Sequence, residues 1–334
     1  MKEQKSLRPL ENRGFQAFID SLKKEYNSIG KKDQVDVILA NPPFGASIAD
    51  GVETNFPATY RCKESADLFV ILMLQLLKPN GRCAIVLPDG SITGDGVKAR
   101  IREMLLRNCN LHTIVRLPNS VFKPYASVST NLLFFERVSS PSEEQEEFAT
   151  KEIWYYEHQL PEGSKGYSMT NPIKLEEFEV EKVWWNNRNE SETAWKINLS
   201  EIIEKAIENA KPHYEKEKEL KREAYSLKEK ISVEKTVLKE IDKNQTTKIE
   251  KKQEKIKQLE SSLQVTETQS RIEKQTADSI YYAAFDLDIK NPNKVEEDLG
   301  DPVKMLEKLH KAETDMEALQ TTILEQLKSA IQNS

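Results

Sequence analysis

The sequence predicts an α/β protein: the second half of a doubly wound, Rossmann-like sheet, followed by a helical, coiled-coil-like carboxyl-terminal region. Three observations carry that prediction. From Val35 to Phe135, strand-length apolar runs alternate with helix-length amphipathic ones, the signature of strands joined by crossover helices. The first run, Val35-Asp36-Val37-Ile38-Leu39-Ala40, stops in Asn41-Pro42-Pro43-Phe44, where prolines that cannot donate to a ladder end the strand. From Asn198 onward the composition shifts to charged helix formers with apolar residues at a near-heptad rhythm.

Residues 1–30 are polar and charged, with Phe15, Phe18, Ile19 and Leu22 spaced for one helical face. The Val35–Ala40 run reads as a buried strand, with Asp36 as an ordinary carboxylate at its start. Residues 46–64, with Gly51 and Pro57, read as a loop that either covers a site or merely connects elements. Ser65 suits the cap of a helix carrying Leu68, Leu72, Leu76 and Leu77 toward the sheet, ended by Pro79-Asn80-Gly81. Arg82 to Leu87 is the next strand, Asp89 to Gly96 a glycine-containing turn, and Val97 to about Asn108 a helix. That turn lacks both dinucleotide spacing and a Lys-Ser/Thr ending, so a shaped loop is expected there rather than a phosphate cradle.

Leu111 to Leu117 and Ser129 to Val138 read as a pair of strands that sets one antiparallel strand at or inside the sheet edge, and Ile153-Trp154-Tyr155-Tyr156 adds a short strand. Trp184, Trp185 and Trp195 are expected to staple the following segment to the core. Asn198 with Glu201, and Thr247 with Glu250, suit capping boxes opening two antiparallel helices, with Leu220, Leu227, Ile231, Leu238 and Ile241 on one and Ile256, Leu259 and Leu263 on the other. Over residues 201–280, 18 Lys and Arg stand against 17 Asp and Glu, which fits a solvated coiled-coil surface rather than a polybasic tail. A last amphipathic helix is expected from about Pro302 to Ile331, its apolar stripe needing either a partner or its own chain. The expected divisions are residues 1–30, 31–195, 196–277 and 278–334.

Composition narrows the function. A formal charge of −6 over 334 residues excludes nucleic-acid binding by bulk charge alone. Cys62, Cys83 and Cys109 have neither metal-ligand spacing nor an even disulfide framework, so no metal is expected and the thiols read as reduced. The strongest apolar run, Leu68 to Leu77, is too short to cross a membrane, and the charged amino terminus is unlike a secretion signal, so a soluble cytoplasmic chain is expected.

Asn41 to Phe44 would lie outside the carboxyl end of a strand, where open α/β sheets bind ligands. The Asn41 side-chain oxygen and the Pro42 carbonyl can accept the two hydrogens of a planar amine, and Phe44 offers a face to an aromatic ring. Such acceptors need no ionisation and stabilise positive charge growing on the nitrogen as a methyl group arrives. Taken alone, the tetrapeptide serves equally well as a stiff strand-ending turn.

Context decides between those readings. Asn41-Pro42-Pro43-Phe44 resembles the catalytic motif of amino-directed DNA methyltransferases. The blocks Leu77-Lys78-Pro79-Asn80-Gly81-Arg82, Ile85-Val86-Leu87-Pro88-Asp89-Gly90, Val115-Arg116-Leu117-Pro118, Val121-Phe122-Lys123-Pro124-Tyr125 and Thr130-Asn131-Leu132-Leu133-Phe134-Phe135 resemble the modification subunit of type I restriction-modification systems. The likeness resumes more weakly at Asp286-Leu287-Asp288-Ile289-Lys290-Asn291-Pro292.

This resemblance implies a Rossmann-like methyltransferase sheet and adenine-specific methylation of DNA with S-adenosylmethionine, Asn41, Pro42, Pro43 and Phe44 being catalytic. Phe122 or Tyr125 would stack on the base, although core packing explains Phe122 equally well. It implies DNA, a specificity subunit and a restriction subunit as partners. The glycine-rich cofactor loop of that family precedes the Asn-Pro-Pro-Phe motif and is not found here, so the cofactor residues are unknown and a separate chain carrying that half is an expected partner. A non-catalytic assembly module and a protein-glutamine methyltransferase remain the alternatives.

Overall fold

The computed structural model describes residues 26–45, 50–124, 128–139, 147–242 and 245–294, with isolated positions between 306 and 320. The Phe15–Leu22 helix, Tyr125, the hairpin turn at Lys243 and Asn244, and most of the terminal helix lie outside the described residues.

Six strands form one sheet: β1 (Val35–Ala40), β2 (Leu77–Pro88), β3 (Cys109–Leu117), β4 (Thr130–Arg137), β5 (Glu152–Glu157) and β6 (Ala194–Asn198). Their spatial order is β1-β2-β4-β3-β5-β6. β1 with β2 and β3 with β5 are parallel, whereas β4 runs antiparallel between β2 and β3, and β6 is antiparallel at the far edge. The antiparallel strand therefore lies inside the sheet. The carboxyl ends of β1, β2, β3 and β5 share one sheet edge, as an α/β architecture requires of a binding edge.

Helix α1 (Ser65–Leu76) is buried on every side from Ser65 to Leu74. From Leu68 to Leu74 every residue is apolar, which suits a helix enclosed by neighbours rather than one with a wet face. Helix α2 (Asp89–Thr93) occupies part of the expected glycine-containing turn, and α3 (Val97–Asn108) follows as expected. Between Leu77 and Arg82 the pairing with β1 jumps from Val35↔Leu77 to Val37↔Arg82, so Lys78 to Gly81 bulge out of β2 instead of terminating the helix. A Cβ on Gly81 would stand 2.8 Å from both the Leu77 side chain and the Lys78 carbonyl, which explains why only glycine closes this bulge.

β1 corrects the expectation of a buried strand. Ile38 and Ala40 rest against the main core, but Val35, Val37 and Leu39 on the other face are 43%, 50% and 79% exposed. The apolar run is continuous because strands built for burial on both faces read that way. Here β1 is an edge strand paired on one side only, and among the described residues its outer face is uncovered. Asp36 lies on the surface, where Lys78 pairs with it at 2.9 Å.

Two cores lie on opposite faces of the sheet. The larger joins α1 and α3 to Ile85, Leu133, Phe135, Tyr155 and Trp195. The smaller gathers Val115, Tyr156 and Trp184 beneath helix α4 (Glu179–Asn186). The sequence pattern had suggested neither α4 nor β6, each of 8 residues or fewer. The tryptophans staple this region as expected: Trp195 stacks on Tyr155 at 5.1 Å and Trp184 meets Trp154 and Tyr156.

Helix α5 (Leu199–Glu240) starts at the expected cap: the Asn198 side chain accepts from the Glu201 backbone and donates to its carboxylate. It runs antiparallel to α6 (Thr246–Ala283), whose start has no side-chain cap from Thr247 because Gln245 precedes the first turn. With 42 residues, α5 is about 60 Å long. Ala210, Leu220, Ala224, Ile231, Ile256 and Ala277 fill the seam. Lys228–Glu267 and Lys235–Glu260 bridge the helices at 2.8 and 2.7 Å, but such exposed pairs stabilise little beside that buried seam.

After α6 the chain returns to the sheet. Phe285 and Leu287 are fully buried in the larger core, and the Leu287 amide donates to the Ile92 carbonyl. Arg102, 4% exposed, donates through Nε to the Phe285 carbonyl and through its two terminal nitrogens to the carbonyls of Ser91 and Gly94. A second compact unit comprises residues 292–334, in which Leu306, Leu309 and Met316 expose their side chains.

Replacing Arg102 would strand three carbonyls around a void. Arg102→Ala is expected to cost about 3 kcal/mol of stability, read as a lower urea midpoint at unchanged slope; a loss under about 0.5 kcal/mol would refute this role.

Candidate active site

The Asn41–Phe44 loop leaves the carboxyl end of β1 as expected. Asn41 and Pro43 are exposed, Pro42 is buried and Phe44 is half-buried. Gly45 then adopts φ +64°, a left-handed turn that suits glycine. Because neither proline carries an N–H, the loop cannot tie itself down with its own backbone donors at these positions.

The surrounding elements hold it instead. Ser65 at the start of α1 donates its hydroxyl to the Pro43 carbonyl at 2.9 Å. This corrects the expected helix cap: the N-cap residue is Glu64, it makes no side-chain capping bond, and the Ser65 hydroxyl is spent on the loop. Phe122, reached through the turn after β3, meets Phe44 with ring centroids 5.2 Å apart and planes at 89°. Two of the three aromatics singled out from the sequence are therefore brought together, 78 residues apart in the chain, in the edge-to-face arrangement that ring quadrupoles favour. Tyr125 lies outside the described residues.

Behind the loop is a charged cluster that sequence reasoning missed. Asp67, 2% exposed, sits on the first turn of α1 with Lys98 at 3.6 Å. Lys98 also donates to Glu64 at 2.6 Å and to the Gly90 carbonyl at 3.0 Å, so it is engaged rather than free to meet a phosphate. Burial holds the Asp67 carboxyl above the usual range, while the Ser91 hydroxyl and Lys98 pull it down. The only hint in the sequence was one aspartate inside an apolar helix.

Further along the same sheet edge, a cavity of about 470 Å³ opens beside Arg116, Asn119, Thr130 and Asp288. Arg116 pairs with Asp288 at 2.6 Å, and the Asn131 amide donates to Asp89 at 2.7 Å. Next to it His158 is clamped between Glu181 at 2.5 Å and the Tyr167 hydroxyl at 3.0 Å. These contacts join segments distant in sequence, and no local motif announces them.

On the opposite face, a groove of about 440 Å³ runs past Val37, Leu39, Ala84, Phe134 and Trp185. Burial pushes the Cys62 thiol up to about 11 and the Cys109 thiol up to about 12, so neither is a ready nucleophile. Among the described residues no cluster of His, Cys, Asp and Glu could hold a metal ion, and no helix is long and apolar enough to cross a membrane.

Comparison with known proteins gives one consistent result. The model of the N-6 DNA methylase family matches residues 6–223. The methylase subunit of the type I restriction enzyme EcoEI from Escherichia coli is 49% identical over 178 residues, 51% of this chain and 34% of that protein. The StySPI methylase subunit from Salmonella potsdam is 34% identical over 125 residues, 37% of this chain and 23% of that protein. A solved structure concerned with complex assembly and conformational transition of the type I restriction-modification system is 25% identical, with a TM-score of 0.51, covering 92% of this chain and 48% of that one. The chain thus spans about a third or less of the length of these curated relatives.

Asp67 generates a pH test. A carboxyl whose folded pKa is raised binds its proton more tightly when folded, so the stability it contributes is complete at low pH and is lost as pH rises through the folded value. Asp67→Asn is therefore expected to gain stability relative to wild type as pH rises from about 3 to 7, in urea unfolding at a series of pH values. A stability difference that does not change with pH would refute the burial penalty.

Proposed function

Because the chain belongs to the N-6 DNA methylase family, we propose that it supplies the amine-activating loop of an adenine-specific DNA methyltransferase, the modification subunit of a type I restriction-modification system. One observation carries this reading: Asn41 to Phe44 project from the carboxyl end of a sheet strand with their backbone held by Ser65 and their aromatic ring braced by Phe122.

In this reading a target adenine is flipped from the duplex, because its amine cannot be reached inside the stack. The Asn41 side-chain oxygen and the Pro42 carbonyl accept the two amine hydrogens. Phe44 and Phe122, set at right angles, hold the ring in one plane. As positive charge develops on the nitrogen, the two acceptors are already in place and do not have to reorganise. Both are neutral, so their function does not depend on a protonation state.

S-adenosylmethionine supplies the methyl group in this family's chemistry. The described residues include no glycine-rich strand-to-helix turn to cradle it, so no cofactor residue is assigned in this chain. The free edge of β1, with Val37 and Leu39 exposed beside it, suits one more parallel strand and its helix, from this polypeptide or from another. A surface laid there would bring the methyl donor to the loop. The specificity and restriction subunits are the further partners in this reading, with DNA as substrate and the cytoplasm as the compartment.

The open edge also supports a second reading, in which the chain is a non-catalytic assembly module. Isothermal titration of S-adenosylmethionine into the chain alone, and into the chain mixed with the product of the neighbouring upstream gene, separates them. Binding in the mixture only is expected; binding by neither favours the assembly module, and binding by the chain alone would overturn the placing of the cofactor half outside it.

Asn41→Ala and Phe44→Ala are each expected to lower radiolabelled methyl transfer to DNA by at least about a hundredfold in an active assembly, with unfolding midpoints near that of wild type. Normal turnover in either variant would remove the loop from the chemistry.

A further inference from the structure

The hydroxyl expected to cap α1 is spent on the loop instead, and that exchange points beyond the four motif residues. In Asn41-Pro42-Pro43-Phe44 the rings fix φ at both prolines, while ψ at Pro43 and φ at Phe44 remain free to turn. Rotation about those bonds swings the Pro43 carbonyl and the Phe44 ring together. With no N–H on either proline, the loop has to borrow a donor from another element to stop that rotation.

The Ser65 hydroxyl is that donor. It lies 2.9 Å from the Pro43 carbonyl, and its residue is 5% exposed. Its own position is firmly set, since α1 is enclosed by the core from Ser65 to Leu74. Meanwhile the N-cap residue, Glu64, makes no side-chain capping bond to the first turn of the helix. A hydroxyl at this place would ordinarily serve the orphan amides of a helix start. Here it serves a carbonyl 22 residues earlier.

We propose that Ser65 is a positioning residue for the methyl-transfer reaction, fixing the Pro43–Phe44 peptide so that the Pro42 carbonyl and the Phe44 ring face the target amine together. The assignment rests on the function proposed above. It involves no contact between Ser65 and the substrate, and so it differs from the roles of Asn41 and Phe44.

The test compares Ser65→Ala with Ser65→Thr, which keeps the hydroxyl. Two readouts are taken on the full chain: amide hydrogen exchange at Phe44 and Gly45, and steady-state methylation in whichever assembly binds S-adenosylmethionine. Ser65→Ala is expected to speed exchange at those two amides several-fold and to lower kcat about tenfold, leaving the KM for S-adenosylmethionine within about twofold. Ser65→Thr is expected to restore both.

Unchanged exchange in Ser65→Ala would overturn the proposal, because the loop would then be held without the hydroxyl. Faster exchange with unchanged kcat would overturn it too, reducing Ser65 to a packing role. If wild-type assemblies transfer no methyl group at all, the function reading itself fails and takes the catalytic role of Ser65 with it; the exchange data then say only whether the hydroxyl holds the loop.

Discussion

One buried guanidinium closes the carboxyl end of the sheet. Arg102 of α3 donates to the carbonyls of Ser91, Gly94 and Phe285, the last of these 183 residues away in sequence. Only the planar fork of arginine can reach three such acceptors from one buried position; a lysine would bring a single ammonium that is costlier to desolvate. Through this one side chain the turn after β2, helix α3 and the return from the helical hairpin become a single piece. Tyr155 adds to it from the other side, donating its hydroxyl to the Leu287 carbonyl at 3.1 Å. The direction in which the hairpin leaves the sheet is thereby set by hydrogen bonds in the core, and the hairpin's own surface charges have little part in it.

The same piece supports the candidate site. Ser91, whose carbonyl Arg102 holds, lies beside Asp67, and Asp67 comes two residues after Ser65, which holds Pro43. The loop is therefore backed by buried polar groups gathered at the start of α1. Their burial costs desolvation, which is what raises the Asp67 carboxyl; Lys98 at 3.6 Å offsets this only in part, since Asp67 Oδ2 and Ser91 Oγ are buried without a hydrogen-bond partner among the described residues. The sheet itself is unevenly covered: its larger core lies on one face, while α4 on the other face reaches Phe134 but leaves the outer face of β1 open among the described residues.

What the sequence disclosed follows from which interactions are local. Strand and helix order from Val35 to Arg137 was legible because apolar periodicity and the proline and glycine stops act over a few residues. The Asn198 cap was legible for the same reason, a side chain meeting an amide three positions on. Burial of β1 was misjudged because an apolar run records what a strand can be covered by, and the covering surface is a matter of tertiary or quaternary structure. Strand β6 and helix α4 were too short to show a period. At the site, Asn41 to Phe44 announced themselves by residue type, whereas Ser65 carried a true signal with the wrong object: its sequence context is that of a cap, and only the fold shows the proline carbonyl within reach. Arg116 with Asp288, and His158 with Glu181, left no local trace, since each pairs residues from separate elements.

The composition of the loop explains why it needs support from outside. Two consecutive prolines make a backbone that offers carbonyls and no amides, which is the right surface for a group that arrives with two hydrogens to give. That one-sidedness has a structural consequence. A loop of acceptors cannot satisfy itself, so a carbonyl turned in toward the protein must find a donor in a neighbouring element. The Pro43 carbonyl finds Ser65. In the proposed function the acceptors divide by position: Asn41 and Pro42 serve the substrate, and Pro43 is used for attachment. A single donor on a rigid helix is enough to make that division, provided the helix cannot move, and the all-round burial of α1 meets the condition.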